Sequence, residues 1–287
     1  GRPNGLLEEQ AQQLVRSLVH PRSVAEMATN LGLASDRYLS EGITSCQEAG
    51  VGGILGTSEP VEVAAYQQAR RANRLRVRVT MMASVDALHG CAHHADDNEP
   101  FSLDLGMHTG FGDDWLRYGA TKIFADGSLM GCTAAMFEDF DGQPGNNGYF
   151  QMPEARLHEL ILAAHRSGWQ VATHAIGDRA VASVLDAYES VLQQHPRADH
   201  RHRIEHAGMT RAVDVARIAR LGVIPVPQAR FVSEIGDGML RAIGPDRVGD
   251  CYRQRSFLDA GITLPGSSDR PVVNGAPLLG IHDLVNQ

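Results

Sequence analysis

The chain has 287 residues, of which 43% are hydrophobic and 21% are charged, as is ordinary for a globular protein with a sizeable core. With 26 Lys and Arg against 34 Asp and Glu, the net charge of −8 gives no indication of a basic face for nucleic acid. No apolar run approaches the roughly 18 residues that a membrane helix needs, so we expect no membrane partner. The four cysteines are far apart and form no Cys-x-x-Cys pair, which is typical of free thiols in the cytoplasm.

The first half of the chain alternates between helical and extended patterns. Helical spacing of apolar residues predicts helices over residues 23–41 and from Pro60 to Ala72, where a proline in the first turn is favoured. Short apolar runs predict three strands, at Gly42–Gln47, Leu75–Met82 and Ala120–Ala125.

The second half repeats the same unit more regularly. It has helices over residues 153–167, 180–194 and 211–220, and a last helix before Gly261; strands are expected at Gln170–His174, His202–His206, Val223–Val226 and Gly261–Pro265. Seven strands separated by helices predict a parallel sheet, and the absence of a Gly-x-Gly-x-x-Gly fingerprint favours a barrel. We therefore expect an α/β protein, a (β/α)₈ TIM barrel that lacks one of its eight strands, as one domain over residues 1–287.

Two connections are too long to be simple turns. Residues 84–112 include His89, Cys91, His93 and His94, whereas residues 126–150 are rich in glycine and polar side chains. Both follow strands, so we expect both to lie over the carboxyl-terminal face of the barrel as functional loops. The histidine-rich cluster alone is more typical of a solvated loop than of a metal site.

Polar residues recur where the predicted strands end. Lys122 lies in an apolar strand, His174 and His206 close two others, and Asp269 follows the last one. Parallel strands open on one face of a barrel, so these four side chains are expected to converge there. Two neutral imidazoles, a carboxylate and a lysine whose pKa is lowered by burial predict a metal site, because a neutral amine can take up carbon dioxide to give an anionic carbamate.

Each of these residues also has a structural interpretation. A strand-end histidine is often only hydrogen-bonded, a lone lysine often points outward, and Asp269 can cap a turn. The occurrence of all four together favours the metal interpretation.

Four segments resemble consecutive motifs of the amidohydrolase superfamily, in that family's order and across nearly the whole chain. They are Thr121–Ser128, Thr173–Arg179, Arg203–Ala207 and Gly266–Val272, and the branch they resemble is amidohydrolase family 3, the formamide-deformylase-like metal-dependent hydrolases. The resemblance implies that Lys122, as a carbamate, is the ligand of the fourth barrel strand and that His174 and His206 are those of the fifth and sixth. It also implies that Asp269, on the eighth, is both ligand and proton shuttle. Asp126 and Ser128 would contact substrate or shape their turn.

The chain also departs from the family pattern. A His-x-His pair on the first strand, and a small β-sandwich domain built from both ends of the family's chain, would lie outside residues 1–287. The His-x-His at His200–His202 belongs to the sixth-strand region and cannot replace the missing pair. We therefore expect a barrel truncated at both ends, with weak metal binding and little activity by itself.

The implied activity is hydrolysis of C–N bonds other than peptide bonds, with a divalent ion, zinc above all, and a carbamate on Lys122 as cofactors. The expected partner is a small-molecule amide, and the unpaired edges of an incomplete barrel predict a homo-oligomer. Two alternatives remain open. The first is a catalytically inert barrel remnant. The second is a lyase that uses Lys122 to form a Schiff base, although the paired histidines favour a metal.

Overall fold

The computed structural model describes residues 5, 7, 9–16, 18, 20–53, 61–96 and 100–286. Six strands form one sheet in the order β1-β2-β5-β6-β7-β8, and every neighbouring pair is parallel. They are β1 Ser45–Val51, β2 Arg78–Ser84, β5 Leu116–Phe124, β6 Val171–Ala175, β7 Arg203–His206 and β8 Ile224–Val226. A separate antiparallel pair consists of β3 His89–Gly90 and β4 Phe101–Ser102.

The helices lie between the strands, as the alternating pattern predicts. They are α1 Gln13–Arg16, α2 Val24–Ser40, α3 Glu62–Arg71, α4 Glu154–Arg166, α5 Asp178–Gln194, α6 Ala212–Leu221, α7 Ala229–Ile243, α8 Gln254–Asp259 and α9 Pro277–Asn286. Local sequence sets several of their ends. The Ser23 hydroxyl accepts from the Glu26 amide to start α2, and Gly222, at φ 67°, ends α6 in the left-handed conformation. Pro60, which was expected to open the third helix, lies outside the described residues.

One face of the sheet packs against these helices and forms the main core. Ile123, Val171 and Ile204 point outward into it, together with Trp169 and Tyr188 from the surrounding elements. Side chains alternate along a strand, so the residues between them point to the concave face. Met82, Ala120 and Ala172 form a small apolar cluster of their own there.

The sheet curls far enough for its distant strands to touch. The Arg203 guanidinium on β7 hydrogen-bonds the Gln47 side chain on β1, although β2, β5 and β6 lie between these two strands. Arg270, beyond the last strand region, forms a two-pronged ion pair with Glu41 at 2.7 and 2.9 Å. These contacts across the concave face give the sheet the curvature of an incomplete barrel.

The seventh predicted strand forms no ladder. Residues 261–265 do not form a strand, and the chain pairs with the sheet next to them through a parallel bridge between Gln228 and Ser267. Pro265 has no amide hydrogen to donate, and Gly266 adds backbone freedom, so regular pairing is broken where the chain turns toward Asp269. In the described part of the chain, no helix is long and apolar enough to cross a bilayer.

Candidate metal centre

The structure brings the four predicted site residues to the carboxyl-terminal end of the sheet. Lys122 pairs in register with Ala172, two residues before His174 on the same strand, and Ala175 pairs with His206, so the ends of three neighbouring strands bring these residues together. Asp269 follows the bridge at Ser267.

The two imidazoles are in direct contact. The ring centroids of His174 and His206 are 4.5 Å apart, with the planes at 72°. Phe124 lies beside them, with its ring 5.2 Å from His174 and 4.8 Å from the Lys122 Nζ atom. The charges of Lys122 and Asp269 both act on His206, and that of Lys122 also acts on His174. Among the described residues, however, no three His, Cys, Asp or Glu side chains are close enough to form a ready-made metal cage.

His174 is held by a backbone carbonyl. Its Nε2 atom lies 2.9 Å from the Gly127 oxygen, and a carbonyl oxygen only accepts hydrogen bonds. Nε2 therefore bears the hydrogen, and the free lone pair is on Nδ1.

His206 is held in the opposite way, by the side chain of Gln228. The Gln228 amide nitrogen donates to the Val226 carbonyl at 2.8 Å, so its oxygen faces the His206 Nδ1 atom at 2.7 Å. Nδ1 of His206 is therefore the donor, and the lone pair is on Nε2. Gln228 is 1% exposed. Hydrogen bonds of this kind fix the tautomer and orientation of metal-binding histidines.

Burial keeps both rings neutral. It lowers the pKa of His174 well below its ordinary value, and the nearby His206 and Lys122 lower it further. Burial also lowers the pKa of His206, against a smaller opposing effect of the Asp269 charge. A neutral imidazole with a fixed lone pair is the form that binds a metal ion.

Burial likewise lowers the pKa of the Lys122 ammonium, and the side chain is 4% exposed. The carboxylates of Glu205 and Asp269 oppose this effect, whereas the Arg203 guanidinium adds to it. The Lys122 amine therefore loses its proton at a lower pH than the amine of a surface lysine does.

Strict alternation along the strand predicts that Glu205, next to His206, points away from the barrel interior, and this prediction is wrong. Its carboxylate pairs with Arg203 at 2.7 and 2.9 Å, Arg203 reaches Gln47 across the concave face, and the Glu205 charge acts on Lys122. The alternation fails because His206 has a φ of 73°. This left-handed conformation turns the His206 side chain back toward the site that Glu205 already faces.

A family model described as the amidohydrolase family matches residues 1–287. The chain belongs to the amidohydrolase family. Putative amidohydrolase YtcJ of Bacillus subtilis (strain 168) is 32% identical over 286 residues, which are 99% of this chain and 50% of that protein. N-substituted formamide deformylase of Arthrobacter pascens is 28% identical over 284 residues, 96% of this chain and 49% of that protein.

A solved structure shows the same fold. An uncharacterized metal-dependent hydrolase from Pyrococcus furiosus matches with a TM-score of 0.78 and 26% identity, covering 97% of this chain and 54% of that one. The match confirms the predicted incomplete TIM barrel. The chain spans about half the length of the curated relatives that it matches.

In this amidohydrolase chain, the side chains of the two residues predicted to contact substrate accept hydrogen bonds from backbone amides in and beside their own loop. The buried Asp126 carboxylate accepts the amides of Ala135, Ile176 and Gly177 at 2.7–3.0 Å, and burial raises its pKa to about 7. It also lies 3.5 Å from the His174 Nε2 atom. The Ser128 hydroxyl accepts the Gly131 amide at 3.1 Å. These contacts favour the interpretation that both residues shape the turn beside the site.

The loop over residues 84–112 does not lie only over the site. Its Phe101 amide donates to the Ser167 hydroxyl at 2.7 Å, and its Phe101 carbonyl accepts from the Trp169 indole at 3.1 Å. Both partners precede β6, at the amino-terminal end of the sheet. The segment over residues 84–112 must return to the amino-terminal end of the sheet, because β5 runs parallel to β2 and begins at that end. It packs on the sheet in the place that a helix occupies between the other strands. His89 pairs locally with Asp104 at 2.9 Å, as suits a solvated loop.

The His200–His202 pair lies away from the centre. His202 precedes the body of β7 and bonds His165 at 2.8 Å, and His200 bonds the Leu221 carbonyl at 2.9 Å, so this His-x-His takes no part in the site. Asp178 begins α5, but the residue at the cap is Gly177, and the Asp178 carboxylate accepts the Phe137 amide instead.

Two residues beside the site were missed by sequence reasoning. Gln228 carries the same signal as the histidines, since it is a polar residue just beyond a predicted strand. Tyr252 lies outside every predicted strand end, and no sequence signal singles it out.

Proposed function

We propose that this chain forms the catalytic barrel of a metal-dependent hydrolase that cleaves C–N bonds other than peptide bonds. The observation on which the proposal depends is the pair of buried, neutral imidazoles of His174 and His206, which touch each other and present opposite ring nitrogens beside a buried lysine. The relative named N-substituted formamide deformylase makes a formamide the first substrate class to test.

The donor set fits a divalent ion, for which we propose zinc. His174 would bind through Nδ1 and His206 through Nε2, because hydrogen bonds occupy the other ring nitrogens. Lys122 would complete the set as a carbamate, in which its neutral amine adds to the carbon of CO₂ and loses a proton. A bound divalent ion would polarise the scissile carbonyl and supply hydroxide near neutral pH.

Asp269 would move the proton. Its side chain is partly exposed and its charge acts on both Lys122 and His206, so it lies where water and substrate can reach it. We propose that it takes the proton of the attacking water and passes it to the leaving nitrogen as the C–N bond breaks. Asp126 and Ser128 hold the loop against this site.

The buried lysine also suits a Schiff-base lyase, because a neutral amine is the nucleophile in that chemistry. Borohydride trapping of Lys122 with a carbonyl compound would favour that reading. The two facing imidazoles have no role in it, which is why we prefer the hydrolase.

The test uses the full-length protein loaded with zinc. We expect turnover of N-substituted formamides to a carboxylate and an amine, and we expect His206→Asn to lose both zinc and turnover. His158→Gln is the matched control, because His158 bonds Ser183 on the helical layer at 3.1 Å and should keep both. Stoichiometric zinc in His206→Asn, or a zinc-loaded wild type that cleaves no amide, would refute the proposal and leave the inert remnant as the better description.

A further inference from the structure

The buried hydroxyl of Tyr252 has no hydrogen-bond partner among the described residues. The residue is 3% exposed, so bulk water does not replace the missing partner. Tyr188 shows the ordinary arrangement, with its hydroxyl 2.8 Å from both the Thr173 hydroxyl and the Arg203 carbonyl. An unpaired buried hydroxyl costs folding free energy, and a group that is left so in a native structure needs an explanation.

Tyr252 is linked to the candidate metal centre by a backbone hydrogen bond and by ring packing. Its backbone amide donates to the Gly208 carbonyl at 2.7 Å, two residues beyond His206. Its ring packs edge-to-face on Phe231 at 5.8 Å, and Phe231 stacks on the His206 ring at 6.0 Å.

The Tyr252 hydroxyl lies within electrostatic range of two carboxyl groups of the site. Asp269 and Asp126 both act on it, as does the neighbouring Cys251 thiol. Burial is the main reason that the pKa of Tyr252 lies well above its ordinary value, and the two carboxylates raise it further. The phenol is therefore protonated at neutral pH and can donate a hydrogen bond.

We propose that the Tyr252 hydroxyl donates a hydrogen bond to the carbonyl oxygen of the amide substrate. The inference rests on the proposed function and adds a residue to it. When hydroxide adds to the carbonyl carbon, the electron pair of the C=O π bond moves to the oxygen, and the phenol stabilises that charge without giving up its proton. When the C–N bond breaks, the pair returns to form the carboxylic product, and the nitrogen takes its proton from Asp269. A donor aimed at the developing charge acts more strongly in the transition state than in the ground state.

The experiment compares Tyr252→Phe with the wild type, both as full-length zinc-loaded protein, on an N-substituted formamide. The substitution removes one oxygen atom and keeps the ring against Phe231. We expect kcat to fall about 10²- to 10³-fold, as for loss of one oxyanion donor, with KM changed less than about threefold. Zinc content should be unchanged, and Tm should be unchanged or higher because no protein hydrogen bond is lost.

Tyr188→Phe is the matched control. Its hydroxyl is buried and fully paired on the helical side of the sheet, so its loss should lower Tm by at least about 2 °C and leave kcat unchanged below the transition. A Tyr252→Phe variant that keeps the wild-type kcat would overturn the inference alone. A clear fall in its Tm would also overturn it, since the hydroxyl would then have a protein partner. A wild type without amide turnover would overturn both this inference and the proposed function.

Discussion

Replacing Gln228 by leucine is expected to weaken zinc binding about 10- to 100-fold, the usual effect of removing a hydrogen-bond partner of a metal-binding histidine. The Gln228 oxygen accepts from the His206 Nδ1 atom at 2.7 Å, and the glutamine is 1% exposed, so no bulk water can take its place. Leucine would leave the Nδ1 hydrogen buried and unpaired. The ring would then be free to rotate or to move its hydrogen to Nε2, the atom proposed to bind the metal.

The expected loss corresponds to about 1.4–2.7 kcal/mol of binding free energy. It can be measured by titrating the metal-free protein with zinc against a competing chelator. Long-range ¹H–¹⁵N spectra of the metal-free protein report the His206 tautomer directly, with the hydrogen on Nδ1 in the wild type and a mixture in Gln228→Leu. Gln228→Glu keeps an oxygen acceptor for the His206 Nδ1 hydrogen, although it loses the donor to the Val226 carbonyl, and should bind zinc more tightly than Gln228→Leu.

Gln254→Leu is the matched control. Gln254 is 5% exposed, and its amide atoms have no hydrogen-bond partner in the described part of the chain. It is therefore a buried glutamine whose removal should leave zinc affinity unchanged. If Gln228→Leu binds zinc as tightly as the wild type, or if the wild-type His206 hydrogen is on Nε2, the reasoning about this contact is refuted.

Three further predictions concern stability. Burial lowers the pKa of His202 well below its ordinary value, so the neutral ring contributes its full stability above pH 6.5. Below pH 6.5 the free energy of unfolding should fall by up to about 1.4 kcal/mol per pH unit. Denaturant titrations at pH 7.0, 6.0 and 5.5 should show a shallower fall for His202→Gln. A Cβ atom at Gly177 would lie 2.0 Å from the Ala135 carbonyl oxygen, so Gly177→Ala should make the 126–150 loop, which contains Phe137, Phe140 and Tyr149, cleavable by chymotrypsin under conditions in which the wild type resists. Asp126→Asn leaves one acceptor oxygen for the three backbone amides that donate to the carboxylate, and should lower the free energy of unfolding by about 1–3 kcal/mol in the same denaturant assay. An unchanged value would contradict the role of this carboxylate in the loop.

The sequence was sufficient to predict the parallel sheet and the convergence of its strand ends. Short apolar runs that alternate with helices leave few other arrangements, and parallel strands must present their carboxyl ends on one face. His174 and Lys122 follow from that rule alone. The same rule misplaced the loop over residues 84–112, because a long connection after a strand can also descend to the start of the next one, as the Phe101 contacts with Ser167 and Trp169 show.

The orientation of the Glu205 side chain could not be predicted, because it is the backbone of the neighbouring His206 that departs from the extended conformation. Strict alternation assumes extended backbone, whereas His206 and Ala207 have φ values of 73° and 47°. Histidine adopts the left-handed region more often than most residues but alanine does not, so local sequence gives no sign of two such residues in succession. Asp269, at 54°, and Tyr252, at 45°, share this conformation beside the same centre. The surrounding contacts hold these residues there, and those contacts are non-local.

The two histidines therefore differ in how easily their orientation can be changed. The partner of His174 is the carbonyl of Gly127, a backbone atom that remains whatever side chain stands at that position. The partner of His206 is a side chain, and one substitution at position 228 removes it. The orientation of His174 is set by the fold, whereas that of His206 is set by the identity of a single residue. Metal affinity in this barrel should accordingly be tunable through position 228 while the strand order is kept, because the backbone bridge from Gln228 to Ser267 does not depend on the side chain.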